Sequence, residues 1–212
     1  AVCRFLGRCP NGYLIAAALM VSWTSTAAAK APTSKLSVRV MGEDSDLLPC
    51  RAWVITDGRR LFEPTAPSTC TPYSRDRSFS CDGEFQIELP AGEVVVHIER
   101  GKEYLPVDRT IVLRPGEEHR ASVLLHRWVD MAKEGWYSSD MHVHLGVDNA
   151  QVLRQLALAD DVNLTPVFTY WLRGTEPEWQ SRWPSWGANG DERIDATHWI
   201  TRSNIEIERI DG

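Results

Sequence analysis

Hydrophobic and polar residues alternate in short runs between residues 35 and 127. An apolar residue at every second position turns one face of a strand toward a core. Turn signals such as Asp57-Gly58 and Pro115-Gly116 separate the runs. The predicted strands are 36–40, 50–56, 85–89, 94–98, 107–113 and 121–125. Strands at this spacing, with no helical period between them, predict a small antiparallel β-sandwich.

A long segment, Glu63–Asp82, separates the second and third of these strands and is rich in Pro, Ser, Thr and Arg. It predicts a surface loop, either a plain insertion or a recognition loop. Cys70 and Cys81 lie in it, and a bridge between them would close it. Together with Cys50, they are the three cysteines beyond the N-terminal leader. At most one intramolecular disulfide therefore forms among them, and one thiol remains.

The pattern changes after Trp128. Residues 150–161 carry apolar side chains at helical spacing, and Asn149 stands where it could cap that helix. A strand is predicted from Ser138 and a second, buried one over 163–171. Strand, helix and strand in this order are typical of a parallel sheet in an α/β fold. Ligands of such sheets gather at the carboxyl ends of the strands.

Two histidines, His142 and His144, stand at the end of the first of these strands. Side chains at i and i+2 project from the same face of a strand, so both imidazoles can reach one cation. Asp140 precedes the pair and Asp148 follows it, which adds carboxylates. The alternative interpretation is a pair of polar residues on a wet sheet face. No Gly-rich phosphate loop and no Gly-x-Ser-x-Gly motif accompanies them.

The N-terminal 31 residues resemble a secretory signal peptide. Arg4 and Arg8 precede an uncharged stretch, 13–23, and the small residues 27–29 follow. The stretch is shorter than the roughly 20 residues that span a bilayer. We expect cleavage near Ala29 and a periplasmic or extracellular protein without stable membrane association, an uncleaved anchor being the alternative. Without the two arginines, 21 basic residues face 29 acidic ones, which argues against nucleic acid as a partner.

The junction from Trp128 to His144 resembles that of exported CehA/McbA-family metallohydrolases, which belong to the polymerase-and-histidinol-phosphatase (PHP) superfamily. Upstream, residues 82–92 and 113–117 resemble the carboxypeptidase-regulatory-like sandwich (an Ig/transthyretin-like fold) that often precedes that catalytic domain. Beyond the signal peptide at 1–31, the resemblance implies a sandwich over 32–128 and the beginning of a distorted β/α barrel over 129–212. It also implies hydrolysis of an ester, carbamate or phosphoester bond of a small-molecule substrate by a metal-activated water.

The resemblance assigns roles to individual residues. His142 and His144 match the first two ligands of divalent ions, which in this family are often zinc, manganese or iron. Asp140 matches an acidic residue expected to orient a ligand histidine, and Asp148 falls near a further acidic ligand. Residues 204–209 resemble the segment that carries a bridging glutamate. Glu206 is the better match there and Glu208 the fallback.

The chain also departs from the family pattern. Thr169-Tyr170-Trp171 stands where the superfamily usually has Thr-Asp-His, so one histidine ligand is missing. His198 either compensates for it or is an ordinary loop histidine. The sequence ends at Gly212, so the part after the junction, residues 129–212, is much shorter than the roughly 200 residues or more that a β/α barrel needs. We therefore expect the front part of a longer protein, inactive in isolation.

A second function remains open from the sequence. The sandwich and the Trp-rich segment 172–189 could belong to a non-catalytic exported binding module that recognises a carbohydrate or a protein partner, with a degenerate PHP domain. That segment either lines a pocket with aromatic surface or packs as a loop over the sheet end. The two functions predict different results in a metal titration. The hydrolase predicts tight binding of a divalent metal, and the binding module predicts none.

Overall fold

The computed structural model describes residues 33–56, 61–67, 69–73, 75–144, 150–174 and 191–209, and of 169–174, 203–205 and 207–209 it describes the backbone only. The predicted signal peptide, the Asp57-Gly58 turn, the ligand candidate Asp148 and the cap Asn149 lie outside the described residues. So does most of the Trp-rich segment, residues 175–190.

Two sheets form the first part of the described chain, and they stack as a β-sandwich. The sheet β6–β1–β9 pairs β1 antiparallel with β6 and parallel with β9. The second sheet has the order β4–β5–β2–β7–β8, with β3 added beside β2. The strands are β1 Thr33–Met41, β2 Cys50–Thr56, β3 Leu61–Phe62, β4 Thr71–Pro72, β5 Phe79–Cys81, β6 Glu84–Pro90, β7 Gly92–Glu99, β8 Val107–Leu113 and β9 Glu118–Leu124.

The alternation seen in the sequence is what builds the sandwich core. Every second residue of β1, β2, β6 and β7 is buried, and these side chains meet between the two sheets. The sandwich prediction is confirmed in its architecture, with one correction: β1 and β9 run parallel, so the sheets are not purely antiparallel. Periodicity alone does not encode strand direction, because both orientations place alternate residues on one face.

The segment Glu63–Asp82 is not the open loop that its composition suggested. It contains β4 and β5, which extend the second sheet beside β2. Phe79 in β5 is fully buried and packs edge-on against Phe85 at a ring-centroid distance of 4.8 Å. Strands of two and three residues are too short to display a period, so the polar composition around them dominated the prediction.

In the described ranges, a third sheet and an α-helix follow the sandwich. The helix α1, Ala150–Ala159, confirms the helical pattern, and the strands are β10 Leu164–Gly174, β11 Glu192–Arg193 and β12 Trp199–Arg209. β10 and β12 are parallel, as an α/β arrangement requires. The predicted strand from Ser138 is wrong as a continuous element: its segment lies parallel to β10 but touches it through two isolated bridges, Ser139–Leu164 and Val143–Val167.

Ion pairs hold the end of α1 on the sandwich. Arg100, the residue after β7, donates to the carbonyl oxygens of Pro49 (2.6 Å) and Leu158, and to Asp161 Oδ1 (2.7 Å). The last carbonyls of a helix have no partner within the helix, so a guanidinium there satisfies them and complements the helix dipole. Arg127 donates to the other oxygen of Asp161 (2.8 Å), and Arg51 pairs with Asp160 (2.6 Å).

Candidate metal centre

The central residue of the His-Val-His motif fixes the direction of the two histidines. Val143 is buried in a small apolar cluster with Leu153, Val167 and Ile200, and its carbonyl accepts the backbone N–H of Phe168 at 2.9 Å. Because side chains alternate along extended backbone, His142 and His144 project away from that cluster. Their Nε2 atoms lie 3.0 Å apart, so the two imidazoles converge as the spacing predicted.

Glu206 reaches the same point from β12. Its Oε2 lies 2.6 Å from His144 Nε2 and 3.6 Å from His142 Nε2. The oxygen is buried and has no aligned hydrogen bond within the described part of the chain. The parallel order of the His-Val-His segment, β10 and β12 brings a residue far along the sequence beside the motif. Of the two glutamates considered, Glu206 therefore lies at the histidines, and Glu208 has no described side chain.

The three side chains have the spacing that one cation needs. Two histidine nitrogens and a carboxylate oxygen lie within 4.8 Å of one another, and no other group of three or more His, Cys, Asp and Glu residues in the described ranges does so. An ion with tetrahedral ligands at about 2.0–2.2 Å has those ligands about 3.3–3.6 Å apart. The separation of Glu206 Oε2 from His142 Nε2, 3.6 Å, has that value, whereas the other two, 2.6 and 3.0 Å, are those of direct contacts that would widen around an ion.

Phe168 closes one side of the group. Its ring centroid lies 5.0 Å from that of His142 and 5.2 Å from that of His144. The two histidine side chains remain 65% and 41% exposed, whereas Glu206 is only 22% exposed. An ion held here would have an apolar wall on one side, a carboxylate beneath it and an open face.

Asp140 contacts the histidine motif through the main chain. Its Oδ1 accepts the backbone N–H of His142 at 3.1 Å, and its own N–H donates to the carbonyl of Leu164 at 3.2 Å. This is a local turn in which the carboxylate orders the backbone of the motif. Asp140 thus positions His142 through the main chain. Among the described residues, it makes no hydrogen bond to a histidine ring nitrogen.

His198 belongs to the ion pairs at the end of α1 and not to the three-residue group. Its Nδ1 lies 2.9 Å from Asp195 Oδ2 and its Nε2 lies 3.4 Å from Asp161 Oδ1, with the ring buried. Burial by itself would lower the pKa of His198, but hydrogen bonds to Asp161 and Asp195 outweigh it and raise the pKa. His198 thus lies in the loop between β11 and β12, paired with these two carboxylates and outside the three-residue group.

Sequence reasoning missed the buried charged residues at the end of α1. Asp161 is almost fully buried between Arg100, Arg127 and His198. Burial alone would raise the pKa of Asp161, but the hydrogen bond with His198 and the two guanidinium groups lower it. The one sequence signal was the dipeptide Asp160-Asp161 directly after an apolar helix, a place where cations and not anions suit the helix dipole.

Comparison with protein-family profiles and with curated protein sequences finds no match. Solved structures with partial similarity include the minor pilin GBS52 of Streptococcus agalactiae, with 14% identity and a TM-score of 0.36 over 47% of each chain. The Bacillus anthracis TIE protein has 14% identity and a TM-score of 0.34 over 45% of this chain and 17% of its own. A DUF3823 family protein of Parabacteroides merdae has 21% identity and a TM-score of 0.29 over 46% of this chain and 47% of its own.

The chain thus spans less than half the length of these three structures, and none of the similarities identifies a family. In the part of the chain that the structure describes, no helix combines the length and the apolar character needed to cross a membrane.

Proposed function

We propose that this chain carries the first ligands of a divalent-metal centre in an exported hydrolase, one that cleaves an ester, carbamate or phosphoester bond of a small molecule. The observation that carries the proposal is the convergence of His142 Nε2, His144 Nε2 and Glu206 Oε2. The resemblance of the segment 128–144 to the CehA/McbA junction supports the same chemistry, since it implies a ligand role for His142 and His144, and the resemblance of residues 204–209 implies one for Glu206.

The residues present fit a divalent ion. Two imidazoles and one carboxylate are ligands that zinc, manganese and iron accept. The buried Glu206 Oε2 lacks an aligned hydrogen-bond donor in the described chain, although two ring nitrogens lie close to it. A cation among the three atoms would bind the carboxylate oxygen and both ring nitrogens at once. Asp148 remains the candidate for a fourth ligand from this chain.

A divalent ion in such a site polarises a scissile carbonyl or phosphoryl group and lowers the pKa of a bound water. The protein's own part is to hold the ligands in place and to shape access. The Val143–Val167 bridge and the Asp140 turn fix the backbone of the motif. Phe168 shields one side of both rings, and the exposed side of the histidines leaves room for a substrate.

Metal content tests the proposal. The protein is purified without chelator and its zinc, manganese and iron are measured by mass spectrometry beside His142→Ala/His144→Ala. A matched control, His119→Ala/His126→Ala, removes two histidines from the strand β9 and the segment after it, which contact Glu117 and Glu43. We expect stoichiometric metal in the wild type and the control, and loss of it in the motif variant.

Metal that persists in the motif variant would contradict the proposed ligands. No metal in any variant, even after supplementation, would contradict the hydrolase and favour the binding module that the sequence left open. An ester, carbamate and phosphoester substrate screen then follows on the metal-loaded protein.

A further inference from the structure

Cys50 and Cys81 stand directly opposite each other in the antiparallel pair β2–β5. Their Sγ atoms are 3.6 Å apart, and both residues are fully buried thiols. From this geometry we propose that Cys50 and Cys81 form a disulfide when the protein folds under oxidising conditions, with Cys70 left as the unpaired thiol. The proposal stands independently of the metal centre. It replaces the bridge between Cys70 and Cys81 that the sequence suggested.

Sheet register brings the two residues within bonding range. Residues directly opposite in an antiparallel pair have Cα atoms about 4.5–5.5 Å apart, and disulfides span Cα separations of about 4.4–6.8 Å. The sulfurs have to approach from 3.6 Å to the S–S bond length of about 2.05 Å, which rotation of the two side chains supplies. The neighbouring pairs Arg51–Ser80 and Ala52–Phe79 hold the strands in this register.

The reaction balances with an external disulfide of the glutathione or dithiol-oxidase class as oxidant. One cysteine thiolate attacks that disulfide, forming a mixed disulfide and releasing one thiol. The thiolate of the second cysteine then attacks the mixed disulfide, forms the S–S bond between Cys50 and Cys81, and releases the other thiol. The two cysteines together lose two protons and two electrons, and the oxidant leaves as two thiols.

Burial sets the order of events. Neither Cys50 nor Cys81 is accessible once β5 lies on β2, so the exchange with the oxidant precedes the final packing of that strand. Cys70 is almost as buried, and desolvation together with Cys81 and Asp82 raises its pKa to about 12. Because the thiolate is the reacting species, Cys70 is inert in the folded protein.

The bond would anchor the segment between β2 and β5, which includes β3 and β4. Strands β4 and β5 lie against α1, and Arg51, next to Cys50, pairs with Asp160 at the end of that helix. A covalent tie between β2 and β5 therefore reinforces the surface on which the helix and the third sheet are seated.

Trypsin places the three cysteines beyond the N-terminal leader on three different peptides, which makes the pairing directly readable. Cleavage after Lys and Arg gives 40–51 with Cys50, 61–75 with Cys70 and 78–100 with Cys81. The chain, refolded with reduced and oxidised glutathione, is alkylated in denaturant without reductant, digested and analysed by mass spectrometry. We expect 40–51 joined to 78–100, and 61–75 alkylated. A bridge to 61–75, or alkylation of all three cysteines, would overturn the proposal.

Thermal unfolding with and without dithiothreitol gives a second, independent readout. We expect the reductant to lower Tm by about 5–15 °C, since the bond closes a loop of about 30 residues. Cys70→Ser should keep this response, and Cys50→Ala/Cys81→Ala should lose it. Should the double variant fail to fold, the Cys70→Ser protein decides alone: no response to reductant there contradicts the proposed pair.

Discussion

Replacing Asp161 with asparagine tests how the end of α1 is held on the sandwich. The side chain of Asp161 is 3% exposed, and its two oxygens accept hydrogen bonds from Arg100 (2.7 Å) and Arg127 (2.8 Å). Asparagine keeps the shape of the side chain, but it removes the negative charge and turns an NH₂ group toward one guanidinium. Arg100 is then left buried without a counter-ion.

The expected loss follows from burial. Removing one partner of a buried ion pair costs about 3–5 kcal/mol of unfolding free energy. Arg127 is 25% exposed and can regain water, whereas Arg100 is 6% exposed and cannot. Arg100 keeps its hydrogen bonds to the carbonyls of Pro49 and Leu158, so we expect a loss at the lower end of this range. We therefore expect Asp161→Asn to lower the unfolding free energy by about 3 kcal/mol.

Urea unfolding at pH 7, followed by circular dichroism, measures the difference. Asp108→Asn is the matched control, because Asp108 accepts from His97 at 2.6 Å but is 71% exposed. Exposed pairs contribute about 0–1 kcal/mol, so the control should stay near the wild type. Adding Arg100→Met to Asp161→Asn should restore part of the loss, since it removes the unpaired charge. A loss below about 1 kcal/mol in Asp161→Asn would refute the reasoning.

Three further results are expected. The pKa of His198 is raised in the folded protein. Its ion pairs therefore stabilise the fold fully at a pH below the pKa of the unfolded state, and this stabilisation is lost as the pH rises through the pKa of the folded state. Asp161, whose pKa is lowered, contributes stability that is lost as pH falls through its folded value, so Tm should peak between about pH 4 and 6.5. His198→Gln should flatten the alkaline side of that Tm profile, and an unchanged slope would contradict the assignment. Gly101→Ala should destabilise by about 1–3 kcal/mol in urea unfolding, because its φ is +51° and the new Cβ would lie 2.6 Å from the carbonyl oxygen of Asp160. Gly116→Ala, with φ +74° and no atom within 4 Å, should cost only the backbone strain, and equal losses would disprove the steric argument. Glu206→Gln should weaken zinc binding at least about tenfold in a chelator-competition titration, and unchanged affinity would remove this residue from the site.

The sequence predicted the sandwich strands closely because their information is local. Cys50–Thr56 and Val107–Leu113 have the predicted bounds, since turn signals at their ends and alternation within them act over a few residues. Strand direction and strand order depend on contacts between distant residues. The parallel pairing of β1 with β9 therefore had no signature in any one segment.

The candidate site was predictable in part. The spacing of His142 and His144 encodes their common face, but Glu206 was identified through a family resemblance and not through its local pattern. Its proximity depends on the parallel pairing of β10 with β12. Asp140 was expected to orient a ligand histidine, and the sequence left the contact open, because a carboxylate can bond a ring or a main-chain amide equally well and local backbone geometry decides between them.

The segment that carries the histidine motif is joined to β10 by two isolated bridges, Ser139–Leu164 and Val143–Val167. Among the described side chains, Val143 packs with Leu153, Val167 and Ile200. A segment held by isolated bridges opens locally at a smaller free-energy cost than the whole domain. A ligand that binds the closed form shifts that opening equilibrium by mass action. A cation at His142, His144 and Glu206 would therefore act as a folding cofactor for its own layer, and metal affinity and local order would rise or fall together.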